Sequence, residues 1–255
     1  MPSILITGTN RGIGLEFVRQ YANAGWQIIA TCRDPAAATE LRTLAQAESR
    51  IRIETLDLSS PASIDELVGR LGTGLALDVL LNNAALLGPG GPQMLGGWQD
   101  NAFLDAYRAN ALGPALLTQA LLPLVEAGSQ KKIIFLGSAA GSIGLLQPPA
   151  NLYAYRASKA ALHLIARNLA LDLKARELIV GLVNPGLVDT RGLLDLAADD
   201  PGPPDLQHLV KLVRAGVIPL IRSAPSVTGM RTLIDGWTLE RSGQFLNYDG
   251  QPLPW

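Results

Sequence analysis

Tyr155 and Lys159 lie four residues apart in the segment YRASK, within an alanine- and leucine-rich stretch whose pattern predicts one long helix over 154–176. That spacing puts both side chains on one face, one turn apart. A phenol with an ordinary pKa near ~10 is a poor base at neutral pH, and a neighbouring ammonium favours its phenolate by ~1.4 kcal/mol per pKa unit. Such a pair can pass a proton to or from a reacting oxygen. Ser138 follows a predicted strand and presents a hydroxyl able to polarise a carbonyl. Asn110 falls in a predicted helix over 101–127, where its amide can bind a backbone group or a water. Tyr153 is a weak rival to Tyr155, because a shift of two residues turns it ~200° around the helix, away from Lys159.

A second chemistry is written near the start of the chain. TGTNRGIG at 7–14 joins a predicted strand to a predicted helix. Gly8 permits a tight turn, while Gly12 and Gly14 let backbone approach a pyrophosphate and let the helix pack on the sheet. The free N–H groups and positive dipole end of that helix then face the phosphates. Asn10, Arg11 and Ile13 complete the turn. In sites that prefer NAD, a carboxylate near the end of the second strand bonds the ribose 2′-hydroxyl. This chain has Cys32 there, followed by Arg33, and Arg11 reaches toward the same ribose. Two guanidiniums suit a 2′-phosphate, so NADP(H) is the expected cofactor. NAD(H) stays as the alternative, with Asp34 as a competing ribose acceptor.

These groups need a frame. Short apolar runs at 4–7, 27–31, 52–55, 79–82, 132–137, 179–183 and 244–247 alternate with helical stretches at 12–24, 36–48, 61–71, 101–127 and 154–176. Strands apolar on both faces belong to a sheet covered on both sides. The pattern predicts a Rossmann-type, doubly wound α/β fold: a mostly parallel seven-stranded sheet with helices on both faces, forming one domain over 1–255. Asp34-Pro35 and Ser60-Pro61 look like helix starts, each a cap residue followed by proline. The glycine- and proline-rich loop 86–97, the interruption at 199–204 within a helical region and Pro148-Pro149 are expected to form a substrate rim, with an apolar character that suits a hydrophobic carbonyl.

Composition narrows the partners. A net charge of -1 gives no reason to expect nucleic acid or an anionic membrane surface. The single cysteine, Cys32, excludes an internal disulfide and reads as packing. With two histidines and no HExxH or cysteine cluster, no transition-metal site is expected. His163 reads as a packed or interface residue and His208 as an exposed one, while Trp98, Trp237 and Trp255 read as core or interface. No G-x-S-x-G is present, so Ser138 is not a hydrolase nucleophile. No leader and no membrane span is seen, and the expectation is a soluble, cytoplasmic protein.

Taken in order, TGTNRGIG, Asp57-Leu58, NNAA at 82–85, Asn110, Ser138, YRASK and NPG at 184–186 resemble the short-chain dehydrogenase/reductase family, over essentially the whole chain. The 10–16 stretch, the Cys-Arg-Asp-Pro turn and the ending at 248–255 look more narrowly like its sniffer and C-factor-type carbonyl reductases. The resemblance implies hydride transfer between NADP(H) and a small carbonyl or alcohol. Tyr155 would be the general acid/base and Lys159 would lower its pKa and bind the nicotinamide ribose. Ser138 would orient the carbonyl, and Asn110 would hold a water-linked proton path. Asp57 would bond adenine, Leu58 would line its pocket, Asn83 and Ala84 would approach the adenine ribose, and Pro185, Gly186, Val188 and Thr190 would flank the nicotinamide. It also implies a homodimer or homotetramer. The rival it suggests is a cofactor-binding signalling protein of C-factor type with little turnover. The family's usual glycine after NNA is Ala85 here, which would be strained at a positive φ.

Overall fold

The computed structural model describes residues 1–89, 93–147, 151–197, 199–202, 207–216 and 219–255. Pro148 and Pro149, the middle of the 86–97 loop, the end of the 199–204 interruption and the side chain of His208 lie outside the described residues, so the expectations placed on them are not followed further.

Seven strands form one sheet: β1 (Ser3–Thr7), β2 (Gln27–Cys32), β3 (Ile51–Thr55), β4 (Val79–Asn82), β5 (Lys132–Leu136), β6 (Ile179–Asn184) and, last in the chain, β9 (Phe245–Asn247). Their order is β3-β2-β1-β4-β5-β6-β9, and every pair is parallel rather than most of them. Side chains alternate between two cores. Ile4, Ile6, Ile28, Val79, Leu81 and Ile134 enter one, whereas Leu5, Ile29, Leu80, Ile133 and Phe135 enter the other. That alternation is the period of two expected of a pleated strand with both faces covered. Helices α1 (Gly12–Asn23), α2 (Thr39–Ala47) and α8 (Ser223–Asp235) close the first core through Phe17, Tyr21, Leu41, Val227 and Met230. Helices α3 (Pro61–Leu71), α5 (Gly113–Ala127) and α6 (Tyr153–Leu173) close the second through Leu67, Leu117, Leu121 and Leu162. No helix among the described residues is long and apolar enough to cross a membrane.

The amino ends of the strands are tied by structural polar contacts. Asp78 accepts from Ser3 N at 2.8 Å, from Ser129 N at 2.8 Å and from the Ser129 hydroxyl at 2.6 Å. Lys132 is buried, and its Nζ donates to the carbonyls of Ile234 and Asp235, both at 2.8 Å, so it caps the last turn of α8. The carboxyl ends are left for other groups.

Several elements differ from the sequence expectation. Ser60 caps α3 as expected, accepting from Ser63 N at 3.3 Å. Asp34 does not start a helix: its carboxylate accepts from Ala36 N and Ala37 N in a turn, and α2 begins only at Thr39. Helix α8 and a two-residue parallel pair, β7 (Val188–Asp189) with β8 (Ile221–Arg222), were not anticipated as elements, whereas a short α7 (Gln207–Arg214) falls within the helical region expected between Thr190 and Val217. The expected helix over 101–127 is two helices, α4 (Asp100–Tyr107) and α5, joined by a π-helical turn at Arg108–Leu112. Its neighbour Gly113 is pressed against Leu58, so that a Cβ there would run into the Leu58 carbonyl oxygen. Gly113→Ala is expected to destabilise the fold by roughly 1–3 kcal/mol, the usual range for overpacking. Urea unfolding checks this, and an unchanged midpoint would refute the close approach.

Candidate active site

The sheet order reverses between β1 and β4, and the open crevice at their carboxyl ends is where such folds bind ligands. A cavity of about 580 Å³ lies there. Gly8, Asn10, Arg11, Gly12, Ile13, Gly14, Arg33, Asp57, Leu58, Asn83, Ala84 and Thr190 all line it, as do Cys32 and Ala85. Pro185, Gly186 and Val188 do not, and neither do Asn110, Ser138, Tyr155 or Lys159.

The glycine turn is made by close approach. A Cβ on Gly14 would collide with the Gly8 carbonyl oxygen, and one on Gly8, at φ +72°, would meet Ala84 Cα at 2.8 Å. Asn83 donates its amide to Thr7 O at 2.6 Å and Gly8 O at 3.2 Å, while Thr7 Oγ1 accepts from Asn83 N and Ala84 N. Asn83 is thus a clasp for the turn as well as a wall of the cavity. Ala85 is not among the residues with positive φ, so the strain anticipated for it does not arise. Thr190 closes over Gly12, its methyl 3.0 Å from where a Cβ would stand.

This crevice fits a phosphorylated dinucleotide on its own geometry. The first turn of α1 has no side-chain cap and no acidic residue, which leaves its N–H groups facing the cavity. Arg11 and Arg33 line it, and their guanidiniums have no hydrogen-bond or ion-pair partner among the described residues. Asp34, the competing ribose acceptor, spends one carboxylate oxygen on its own turn and is not part of the wall.

Beyond the crevice, β5 and α6 bring Ser138, Tyr155 and Lys159 near one another. Ser138 follows β5, and its Oγ accepts from Ala140 N at 3.2 Å. Asn184 Oδ1, at the end of β6, accepts from Ala139 N at 3.0 Å and pins the same turn. The Tyr155 phenol and the Ser138 hydroxyl are neighbours. Burial holds the Tyr155 phenol above its ordinary value, and the nearby Ser138 hydroxyl offsets this in part. Lys159 stands with Nζ 5.9 Å from the Tyr155 ring centre and donates to Leu136 O at 2.9 Å. Burial lowers Lys159 to about 8. The expected lowering of the phenol by this ammonium is therefore not the dominant effect in this arrangement. Burial is.

The π turn carries Asn110, which is buried. Its Oδ1 accepts from Leu86 N at 2.6 Å, and its Nδ2 donates to Leu86 O at 2.8 Å and to Ser158 Oγ at 2.9 Å. Its direct bonds reach Leu86 and Ser158, not Lys159. Gly186, at φ +77°, packs against Tyr248 and Ile221, and Ser226 Oγ donates to Pro185 O at 2.6 Å. Asp189 is pulled below the usual carboxylate range, because backbone N–H groups from Arg191 to Leu194 outweigh its burial. Tyr153 turns away to pack on Trp98, ring centres 5.1 Å apart. Trp237 is core, and Trp255 stacks with Phe245 and His163.

Two residues here carry more than the sequence suggested. His163 is packed, as expected, but its Nε2 also accepts from Ser138 N at 3.3 Å. Gln93 is buried and bonds Tyr155 N, though it sits in a loop with no periodicity to flag it.

The comparisons with known proteins agree with this geometry. The profile of the family described as short chain dehydrogenase matches residues 2–200. The chain belongs to that family. It is 29% identical to an NADPH-bound carbonyl reductase from chicken fatty liver, with a TM-score of 0.83 over 100% of this chain and 99% of that one. It is 30% identical to the carbonyl reductase Sniffer of D. melanogaster, with a TM-score of 0.82 over the whole of both chains. The C-signal protein of Myxococcus xanthus is 33% identical over 182 residues, 70% of this chain and 93% of that protein.

Burial, and then the nearby Lys159 charge, push the His163 imidazole from its ordinary 6.5 down to about 3. The unfolded chain takes up a proton here between those values that the folded chain refuses, so stability falls as pH drops through that window. His163→Gln keeps an acceptor and does not titrate. Urea unfolding at a series of pH values should show a shallower acid-side loss in this variant, by up to about 1.4 kcal/mol per pH unit. Parallel curves for variant and wild type would count against a neutral buried imidazole.

Proposed function

We propose that this protein transfers hydride between NADP(H) and a carbonyl or alcohol substrate, with Tyr155 as the general acid/base. The observation that carries the reading is the placing of Lys159 one turn along α6 from Tyr155, its Nζ 5.9 Å from the phenol ring and Ser138 close by, beside a crevice whose glycine turn and two arginine side chains suit a phosphorylated dinucleotide. The bound nicotinamide supplies or accepts the hydride. Gly8, Gly12, Gly14 and the amino end of α1 would hold its pyrophosphate, and Arg11 and Arg33 its 2′-phosphate. Asp57 and Leu58 would receive the adenine, Asn83 and Ala84 its ribose, and Pro185, Gly186, Val188 and Thr190 would flank the nicotinamide.

A phenol kept neutral by burial is suited to give its proton to a substrate oxygen as negative charge develops there. Ser138, close to the phenol, would orient the carbonyl oxygen that receives its proton. Lys159 spends one N–H on Leu136 O and keeps two donors for ribose hydroxyls. Asn110 fixes the backbone around the pair. Leu164 and Leu171, two turns apart and largely exposed on α6, offer apolar surface for self-association.

Two measurements test this reading. NADPH oxidation across a panel of aldehydes, ketones and quinones should fall by a factor on the order of a hundred or more in Tyr155→Phe, while NADPH still binds. Tight NADPH binding without turnover in the wild type would favour the signalling role suggested by the likeness to C-signal. Arg33→Ala combined with Arg11→Ala should weaken NADPH binding roughly tenfold or more and leave NADH binding within about twofold, read by fluorescence titration. Equal losses for both cofactors would remove the 2′-phosphate assignment.

A further inference from the structure

Helix α6 begins without a cap of its own. Its N-cap residue, Leu152, is in the left-handed region at φ 51°, ψ 42° and makes no side-chain cap hydrogen bond. The first N–H groups of a helix have no intrahelical partner, and Tyr155 N is one of them. Its partner comes from 62 residues earlier in the chain: Gln93 Oε1 accepts from Tyr155 N at 2.8 Å. The other end of the same amide is fully used as well. Gln93 Nε2 donates to Leu87 O at 2.7 Å and to Pro89 O at 2.9 Å. Gln93 is only 1% exposed, although Leu87, Met94 and Leu95 around it are open to solvent. A buried amide with every strong contact satisfied, in an otherwise exposed loop, is a fixed joint.

The carbonyl of Tyr155 is held from the opposite side. It accepts from Ser158 Oγ at 2.7 Å, Ser158 Oγ accepts from Asn110 Nδ2, and Asn110 binds both backbone groups of Leu86. Both backbone groups of Tyr155 therefore lead back to the segment after β4: the N–H through Gln93 to Leu87 and Pro89, the C=O through Ser158 and Asn110 to Leu86. Gly88, at φ +72°, leaves room for the amide, since a Cβ there would stand 3.1 Å from Gln93 Nε2.

We propose that Gln93 is a positioning residue: its side-chain amide replaces the missing cap of α6 and makes the placement of the Tyr155 phenol depend on the seating of the segment from Leu86 to Pro89. This rests on the acid/base reading of Tyr155. Apolar substrate groups that settle on the exposed Leu86 and Leu87 act on the same joint, so they raise kcat as well as lower KM.

The test uses the full chain with NADPH present. Gln93→Met keeps the length and removes every hydrogen bond, whereas Gln93→Glu keeps an acceptor for Tyr155 N and loses the donors to Leu87 and Pro89. Residue-resolved amide exchange, NADPH affinity, kcat and KM are measured for each. In Gln93→Met, exchange at Tyr155 is expected to accelerate at least about tenfold and kcat to fall roughly tenfold to a hundredfold, with NADPH affinity kept within about threefold. Gln93→Glu should protect Tyr155 N better than Gln93→Met does, yet still lower kcat, because its carboxylate faces the Leu87 and Pro89 carbonyl oxygens and unseats that segment. Should Gln93→Met not fold, Gln93→Asn takes its place, being polar but one methylene too short to reach Tyr155. Unchanged exchange at Tyr155 in a folded variant that lacks the acceptor overturns the proposal. So does a Glu variant that binds NADPH with wild-type kcat, since the Leu87 and Pro89 bonds would then be irrelevant to the phenol. Were the wild type to turn over no carbonyl, the reductase reading would fail, while amide exchange at Tyr155 would still decide whether Gln93 holds that helix turn.

Discussion

Where the Gly8 carbonyl meets Gly14, no room remains for a side chain, and the Asn83 amide locks that approach by bonding Thr7 and Gly8 from the end of β4. The crevice depends on this contact. It draws the amino end of α1 against the carboxyl ends of β1 and β4, at the point where the strand order reverses. Because the sheet is covered on both faces, groups that must meet a ligand can stand only at its edge. The amino edge is instead occupied by Asp78 and Lys132, whose bonds join strands to turns and helices. One edge of the sheet is closed by structural polar contacts, and the other is open for chemistry.

At the open edge, burial sets the protonation states. It raises the Tyr155 phenol, lowers Lys159 to about 8 and lowers His163 to about 3. The three effects are consistent with one another. A neutral imidazole can accept from Ser138 N, and its lack of charge spares the ammonium of Lys159, four residues earlier on α6, a like-charged neighbour. A polar set of this kind is held by geometry from several elements: β5 through Leu136 O, β6 through Asn184, and the π turn through Asn110.

Much of this was legible in the sequence, for physical reasons. Strands apolar on both faces, the glycine turn between strand and helix, and the i,i+4 pair in YRASK each carry a local signal, and the sheet came out with the expected seven strands. What stayed hidden depends on contacts between distant residues. Helix α8, SAPSVTGMRTLID, has a proline, a glycine and β-branched residues that argue weakly for helix, yet Val227, Met230 and Ile234 bury against the sheet, and Gly229 is small because the Tyr248 carbonyl lies against it. Asp34 followed by proline has the look of a cap, but it closes a turn before α2. Gln93 gave no signal, since a single polar residue in a glycine-rich loop has no period. The roles proposed for the individual site residues rest on family likeness and geometry together, not on pattern alone.

The π turn at Arg108–Leu112 has a further consequence for how this stretch of chain is compared with others. Ala106 and Ala111 are both buried although five residues separate them, a spacing that a straight α-helix would place on different faces. The apolar rhythm running through α4 and α5 therefore slips by one residue at Asn110. A residue-by-residue comparison that assumes a continuous helix will be in phase on one side of Asn110 and out of phase on the other. The slip is itself a fingerprint. A chain that keeps its hydrophobic beat but drops one step midway between its fourth and fifth strands carries the mark of a side chain turned inward, whether or not the residue at that step is an asparagine.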